Sequence, residues 1–131
     1  MATRWLGSRA LGLAIALFTL SPVISGCSRE GPRPPEGILS SSAAQRAGAE
    51  LFASNCSICH GASGNGRGLR QEAISPPPAN LTVPPWSDHP GRTFLAIRQG
   101  VPRTAMAPWP MLSDREIWEL VAYIGTLQGN G

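Results

Sequence analysis

Two thiols and an imidazole stand together at Cys56-Ser57-Ile58-Cys59-His60. Thiols separated by two residues can each add to one vinyl group along a single edge of a porphyrin. The histidine that follows the second thiol then sits beneath the iron, where its imidazole can bind as the proximal ligand. This C-x-x-C-H run is the attachment signature of c-type haem. Other uses of the same groups are a thioredoxin-like redox pair, a Cys56–Cys59 disulfide, and a zinc set of Cys56, Cys59, His60 and His89. The redox pair belongs in a βαβ setting, whereas the sequence here is helical before the motif and rich in glycine and proline after it. Zinc is disfavoured because Cys59 and His60 are chain neighbours, and because zinc spacing usually puts both histidines on one helix.

An iron held by His60 alone is open to small ligands, and a second protein ligand closes it for electron transfer. The candidates are Met106, Met111 and His89. Met106 lies in Gly100-Val101-Pro102-Arg103-Thr104-Ala105-Met106-Ala107-Pro108, a non-helical loop able to fold over the face opposite His60, and it is the favoured choice. Met111 can equally be core filler, the common fate of a methionine. A thioether favours ferrous iron, so His/Met ligation raises the potential relative to two imidazoles. Ser75-Pro76-Pro77-Pro78-Ala79-Asn80 cannot be helical. One of its carbonyls could accept the Nδ1–H of His60 and fix the tautomer.

Helices must position these groups. Ser42 and Gln45 have capping-box spacing, and Ala44, Ala47, Gly48, Leu51, Phe52 and Asn55 then recur on one helical face that runs into Cys56. A helix over 91–99 is expected, with Phe94, Leu95 and Ile97 apolar and Gly100 as its stop. The last helix is the clearest: Ser113 and Glu116 form a capping box, and Ile117, Leu120, Val121, Ile124 and Leu127 make one stripe. No strand signal stands out. Gly61, Gly64, Gly66 and Gly68 lack the lysine and preceding strand of a phosphate loop, and read as a flexible turn leaving the motif.

The N-terminus reads as an export signal over 1–26, with Arg4 and Arg9 before an apolar run from Ala10 to Leu20. Ile24-Ser25-Gly26-Cys27 resembles the bacterial lipobox, in which the cysteine is lipidated. The apolar run is shorter than the roughly 20 residues of a spanning helix, so an uncleaved anchor is the lesser reading. Cysteine use closes: Cys27 takes lipid, Cys56 and Cys59 take haem, and none is left over. Residues 27–41 are polar and proline-bearing, the composition of an extended, flexible tether. Residues 42–131 are left as one small domain, of a size that commonly needs a covalent or metal staple. The chain carries a formal +3, but without Arg4 and Arg9 nine arginines face eight acids. It contains no lysine, which excludes a lysine-ringed docking face, and nothing points to nucleic acid.

From Ser42 to Leu127 the chain resembles the class I cytochrome c family, bacterial monohaem branch. The resemblance rests on the helix ending in Cys56-x-x-Cys59-His60-Gly61, on Pro76-Pro77-Pro78-Ala79-Asn80-Leu81, on the Met106 loop and on the closing Leu120-Val121-Ala122-Tyr123-Ile124 helix. It implies an all-α fold of three main helices around one covalent haem, thioether bonds at Cys56 and Cys59, and axial ligands at His60 and Met106. It also implies a close crossing of the first and last helices at Gly48, Phe52 and Tyr123. The chain departs from the family where Ala107 stands between the methionine and Pro108. Trp86 and Trp109 are candidates to line the haem pocket or reach a propionate, and Trp118 to pack between helices. The expected function is that of a lipid-anchored, periplasm-facing electron carrier between respiratory redox partners, not an enzyme. The alternatives are a haem subunit of a larger oxidoreductase and an open-site haem protein that binds ligands or peroxide.

Overall fold

The computed structural model describes residues 30–128. Within them the chain is helical and without strands: α1 (Ser42–Asn55), α2 (Ser57–His60), α3 (Pro90–Gln99) and α4 (Asp114–Thr126), plus one 3₁₀ turn at Gln71–Ala73. No helix among the described residues is long and apolar enough to cross a membrane. The export signal expected over 1–26 and the lipid site expected at Cys27 lie outside these residues.

α1 and α4 form the main interface of the domain, and α3 packs on α4. The expected faces are the buried ones: Ala44, Gly48 and Phe52 on α1, and Ile117, Leu120, Val121 and Ile124 on α4. Gly48 is the point of closest approach. A Cβ there would collide with the Glu119 carbonyl and lie 2.9 Å from the Tyr123 Cβ. One turn further on, Phe52 and Tyr123 meet with ring centroids 5.3 Å apart at 57°, a favourable tilted geometry. Trp118 packs on Phe94 of α3 at 4.6 Å, the interhelical role expected of it.

Helix starts show what local sequence can decide. At α4 the capping box forms as expected: Glu116 N–H donates to Ser113 Oγ at 3.2 Å, and Ser113 N–H donates to Glu116 Oε2 at 2.7 Å. The Ser113 backbone N–H, and then its hydroxyl, hold the Glu116 carboxyl below the ordinary glutamate range. Its contribution is therefore fully present above the unfolded pKa and is lost as pH falls through the lowered native value. Ser113→Ala should cost about 1 kcal/mol, read as a lower urea midpoint at neutral pH. At α1 the cap sits one residue earlier than expected. Ser41, not Ser42, accepts from Ala44 N–H at 3.3 Å, while Gln45 turns its amide back onto Leu39 O at 2.9 Å.

That amide belongs to a second difference. Residues 27–41 were expected as a flexible tether, but from Glu30 onward the segment is packed on the domain. Ile38 and Leu39 lie against the hydrophobic core, Ile38 N–H donates to Pro35 O at 3.2 Å, and the Gly31 backbone abuts Gly91. The segment is proline-rich and polar. Two apolar side chains and one glycine contact nevertheless suffice to fasten it.

Candidate functional site

α1 ends at Cys56, whose own N–H donates to Phe52 O at 2.9 Å, and the single turn α2 carries Cys59 and His60. The chain then folds back along this turn. Gly66 N–H donates to His60 O at 2.8 Å, Gly68 N–H to Cys59 O at 3.1 Å and Arg70 N–H to Ile58 O at 3.1 Å. The glycines are needed for this approach: a Cβ at Gly68 would press on the Ile58 and Cys59 carbonyls, and one at Gly66 would lie 2.7 Å from Pro78 O. The flexible turn expected here is therefore a pinned loop. Leu81 N–H donates to Gly64 O at 2.7 Å and joins the proline segment to the loop. That brings Ala79 O within 3.0 Å of His60 Nδ1. With Nδ1–H donated to this carbonyl, the ring's free lone pair lies on Nε2.

The segment after α3 supplies another part of the same site. Gly100 ends α3 with φ 71°, and Val101 N–H donates to Met106 O at 3.0 Å. Thr104 Oγ donates to Val101 O at 2.8 Å and accepts from Met106 N–H at 3.1 Å. Trp109 N–H donates to Ile97 O at 3.2 Å. The backbone on both sides of Met106 is therefore fixed, and the extra Ala107 does not displace its side chain from the site. A Cβ at Gly100 would lie 2.6 Å from Met106 O and 2.8 Å from Pro108 N, at a φ that side chains rarely adopt. Gly100→Ala should shift this loop and leave Met106 poorly held, seen as a mixed-spin visible spectrum where the unaltered chain gives one form.

The site is a cavity of about 270 Å³, lined by Cys56, Cys59, His60 and Met106. The rest of its lining is mainly apolar, with Phe52, Leu81, Ile97, Leu120 and Ile124 at the core side and Pro76, Pro77 and Pro78 beside His60. Both Trp86 and Trp109 line it too. The Trp86 indole N–H, however, donates to Asn80 O at 3.0 Å, so that ring is not poised for a propionate. His89 is the exposed N-cap of α3 and does not line the cavity. Among the described residues no three His, Cys, Asp or Glu side chains converge as a metal set, which removes the zinc reading. Met111 is 71 % exposed and is not among the residues lining this cavity, so it is not core filler. Cys56 and Cys59 are free thiols. Burial, and then the neighbouring Cys59, push the Cys56 thiol up to about 11, which disfavours its thiolate.

Sequence reading missed how much of the site is made by backbone. Gly100 was read only as a helix stop and Gly66 and Gly68 only as a turn, yet each permits a close approach that shapes the cavity. For Thr104 a local signal exists: a threonine two positions before a candidate ligand is well placed to bond its N–H.

The residues present fit a c-type haem: an apolar slot lined by two free thiols, an imidazole with Nδ1 on a backbone carbonyl, and a thioether. The family comparison agrees. A model described as cytochrome c oxidase, cbb3-type, subunit III matches residues 43–124. Among solved structures, the chain resembles one from the Kuenenia stuttgartiensis reducing HAO-like protein complex. That likeness has a TM-score of 0.55 and 24 % identity, over 63 % of this chain and 41 % of the other. At that identity it speaks to the fold alone, and this chain spans less than half of that relative's length. No curated protein matches the sequence. The match of more than half the chain, together with a site built for a tethered porphyrin, shows that this protein belongs to the cytochrome c family represented by cbb3-type oxidase subunit III and carries a domain for covalently bound haem c.

Proposed function

We propose that the chain is a monohaem electron-transfer cytochrome, anchored by lipid at Cys27 on the periplasmic side of a bacterial membrane, exchanging single electrons with respiratory redox proteins. The observation that carries this reading is that His60 and Met106 line one apolar cavity together with Cys56 and Cys59. Haem c, when bound, supplies a one-electron ferric/ferrous couple. Cys56 and Cys59 would hold it covalently, and His60 would bind the iron through Nε2 with Ala79 O keeping the ring oriented. Met106 would bind from the other side and leave no position for a small ligand. Phe52, Ile97, Leu120 and Ile124 exclude water and keep the surroundings apolar, which disfavours the more charged oxidised state. These are the features of a carrier and not of a bond-making catalyst.

Mass spectrometry of the mature chain, produced in a host that matures c-type cytochromes, should find one haem on the peptide holding Cys56 and Cys59. Peptide masses with no adduct would reject the proposal. The family's description as an oxidase subunit favours a partner that is itself a membrane redox complex. Purification from native membranes should then bring such a complex down with the chain. Anchoring has its own test. Each buried methylene of a lipid chain contributes about 0.8 kcal/mol, and two or more chains make attachment stable. Cys27→Ser should therefore move the protein from the membrane to the soluble fraction, and continued tight association would argue against lipidation.

A further inference from the structure

The segment before α1 is fastened to the domain at its very start. Gly31, at φ +76°, lies with its backbone against Gly91, the second residue of α3. A Cβ at Gly91 would collide with the Glu30 carbonyl and lie 2.6 Å from Pro32 O, and one at Gly31 would strike the Gly91 carbonyl. Both glycines are needed for this contact. Further along, Ile38 and Leu39 pack on the core and Gln45 holds Leu39 O at 2.9 Å. No free tether therefore intervenes between Glu30 and the helices.

Cys27 stands three residues before Glu30. Covalent geometry limits three residues to about 10 Å, whatever their conformation. A lipid on Cys27 must thus lie within about that distance of the point where Glu30 meets α3. We infer that the N-terminal end of α3, around Gly31 and Gly91, rests against the lipid surface, so that the domain is held in a restricted orientation and does not swing on a leash. The inference depends on the lipid-anchor reading given above. Exposed Arg33 and Arg92 flank this junction, but exposed Glu30 and Asp88 share it. Charge therefore adds little, and the short covalent reach carries the argument. The consequence concerns the site directly. Thr93, two residues beyond Gly91 and so about 3 Å further along the helix axis, lines the cavity. One wall of the haem site would sit within about 15 Å of the membrane, close to any redox partner embedded in it.

The test uses the mature, haem-bearing chain in liposomes that carry a nickel-chelating lipid headgroup. A nitroxide is placed on Arg92→Cys, the one thiol left once haem and lipid occupy the others. The expected result is strong broadening of the nitroxide signal. That broadening should be lost when about twelve Gly/Ser residues, worth about 20 Å of reach, are inserted between Arg29 and Glu30. Gly91→Ala, whose Cβ would force the Glu30–Pro32 backbone away from α3, should weaken it as well. Equal broadening with and without the insertion, on a chain whose lipid at Cys27 is verified by mass, overturns this inference and leaves lipid anchoring standing. Absence of the lipid from Cys27 overturns both, so the two failures are told apart by the same mass measurement.

Discussion

Gly48→Ala should weaken the folded state by about 3 kcal/mol or more. At this position α1 and α4 touch through backbone: the added methyl would collide with the Glu119 carbonyl and lie 2.9 Å from the Tyr123 Cβ. Neither obstacle is the free end of a flexible side chain, so the helices must separate. Helix pairs ordinarily pack with axes 8–10 Å apart, the small values requiring small residues at the crossing. Separation here loosens Phe52 and Leu120, both essentially inaccessible to solvent, and parts the Phe52–Tyr123 ring contact. Overpacking of a well-packed core costs about 1–3 kcal/mol and occasionally more. The upper end applies where backbone must move, against a total stability of about 5–15 kcal/mol for a typical domain. Gly125 supplies the control. It is exposed on α4 and a Cβ there meets nothing within 4 Å, so Gly125→Ala should be neutral or stabilise by up to about 1 kcal/mol. In urea titrations followed by helical circular dichroism, the Gly48 variant's midpoint should fall while the Gly125 variant's holds or rises. Equal midpoints would refute the close crossing.

The same crossing shows what a linear sequence can reveal. The α4 stripe and its capping box are local patterns, and they appear in the structure where the spacing puts them. The C-x-x-C-H run is equally local, because its chemistry lies in side chains that are chain neighbours. What was misread depends on contacts between distant segments. Three serines at 40–42 all qualify as a cap, and Ser41 prevails because Leu39, packed on the core, draws Gln45 backward out of any box. The segment 30–41 has the composition of a tether and is held by Gly31 on Gly91, sixty residues away in sequence. Met106 and Met111 are close in composition of surroundings, but only the first is followed by backbone that returns to Gly100 and Ile97. His60 found its acceptor within the expected proline segment, at Ala79, because Leu81 is tied to Gly64. That tie has no signature in either stretch alone.

Met106→Ala should convert a six-coordinate, low-spin haem protein into a five-coordinate, high-spin one that binds carbon monoxide rapidly. The substitution isolates the thioether unusually well. The loop is held by the Met106 N–H on Thr104 Oγ and by the Met106 carbonyl on Val101 N–H, and alanine keeps both groups. Loop position should therefore survive while the ligand is lost. Stability should fall by an amount near the low end of the about 2–5 kcal/mol usual for truncating a buried methionine, since Met106 is only partly buried. Loss of the soft sulfur ligand should also lower the reduction potential, because the thioether stabilises the ferrous state. Met111→Ala, at a position 71 % exposed and not lining the cavity, should leave spectrum and potential unchanged. The visible spectrum of the reduced protein, before and after carbon monoxide, measures all of this in one preparation. A parent protein already five-coordinate, or a Met111 variant that behaves as the Met106 variant should, would assign the far side of the iron differently and favour an open-site haem protein over a carrier.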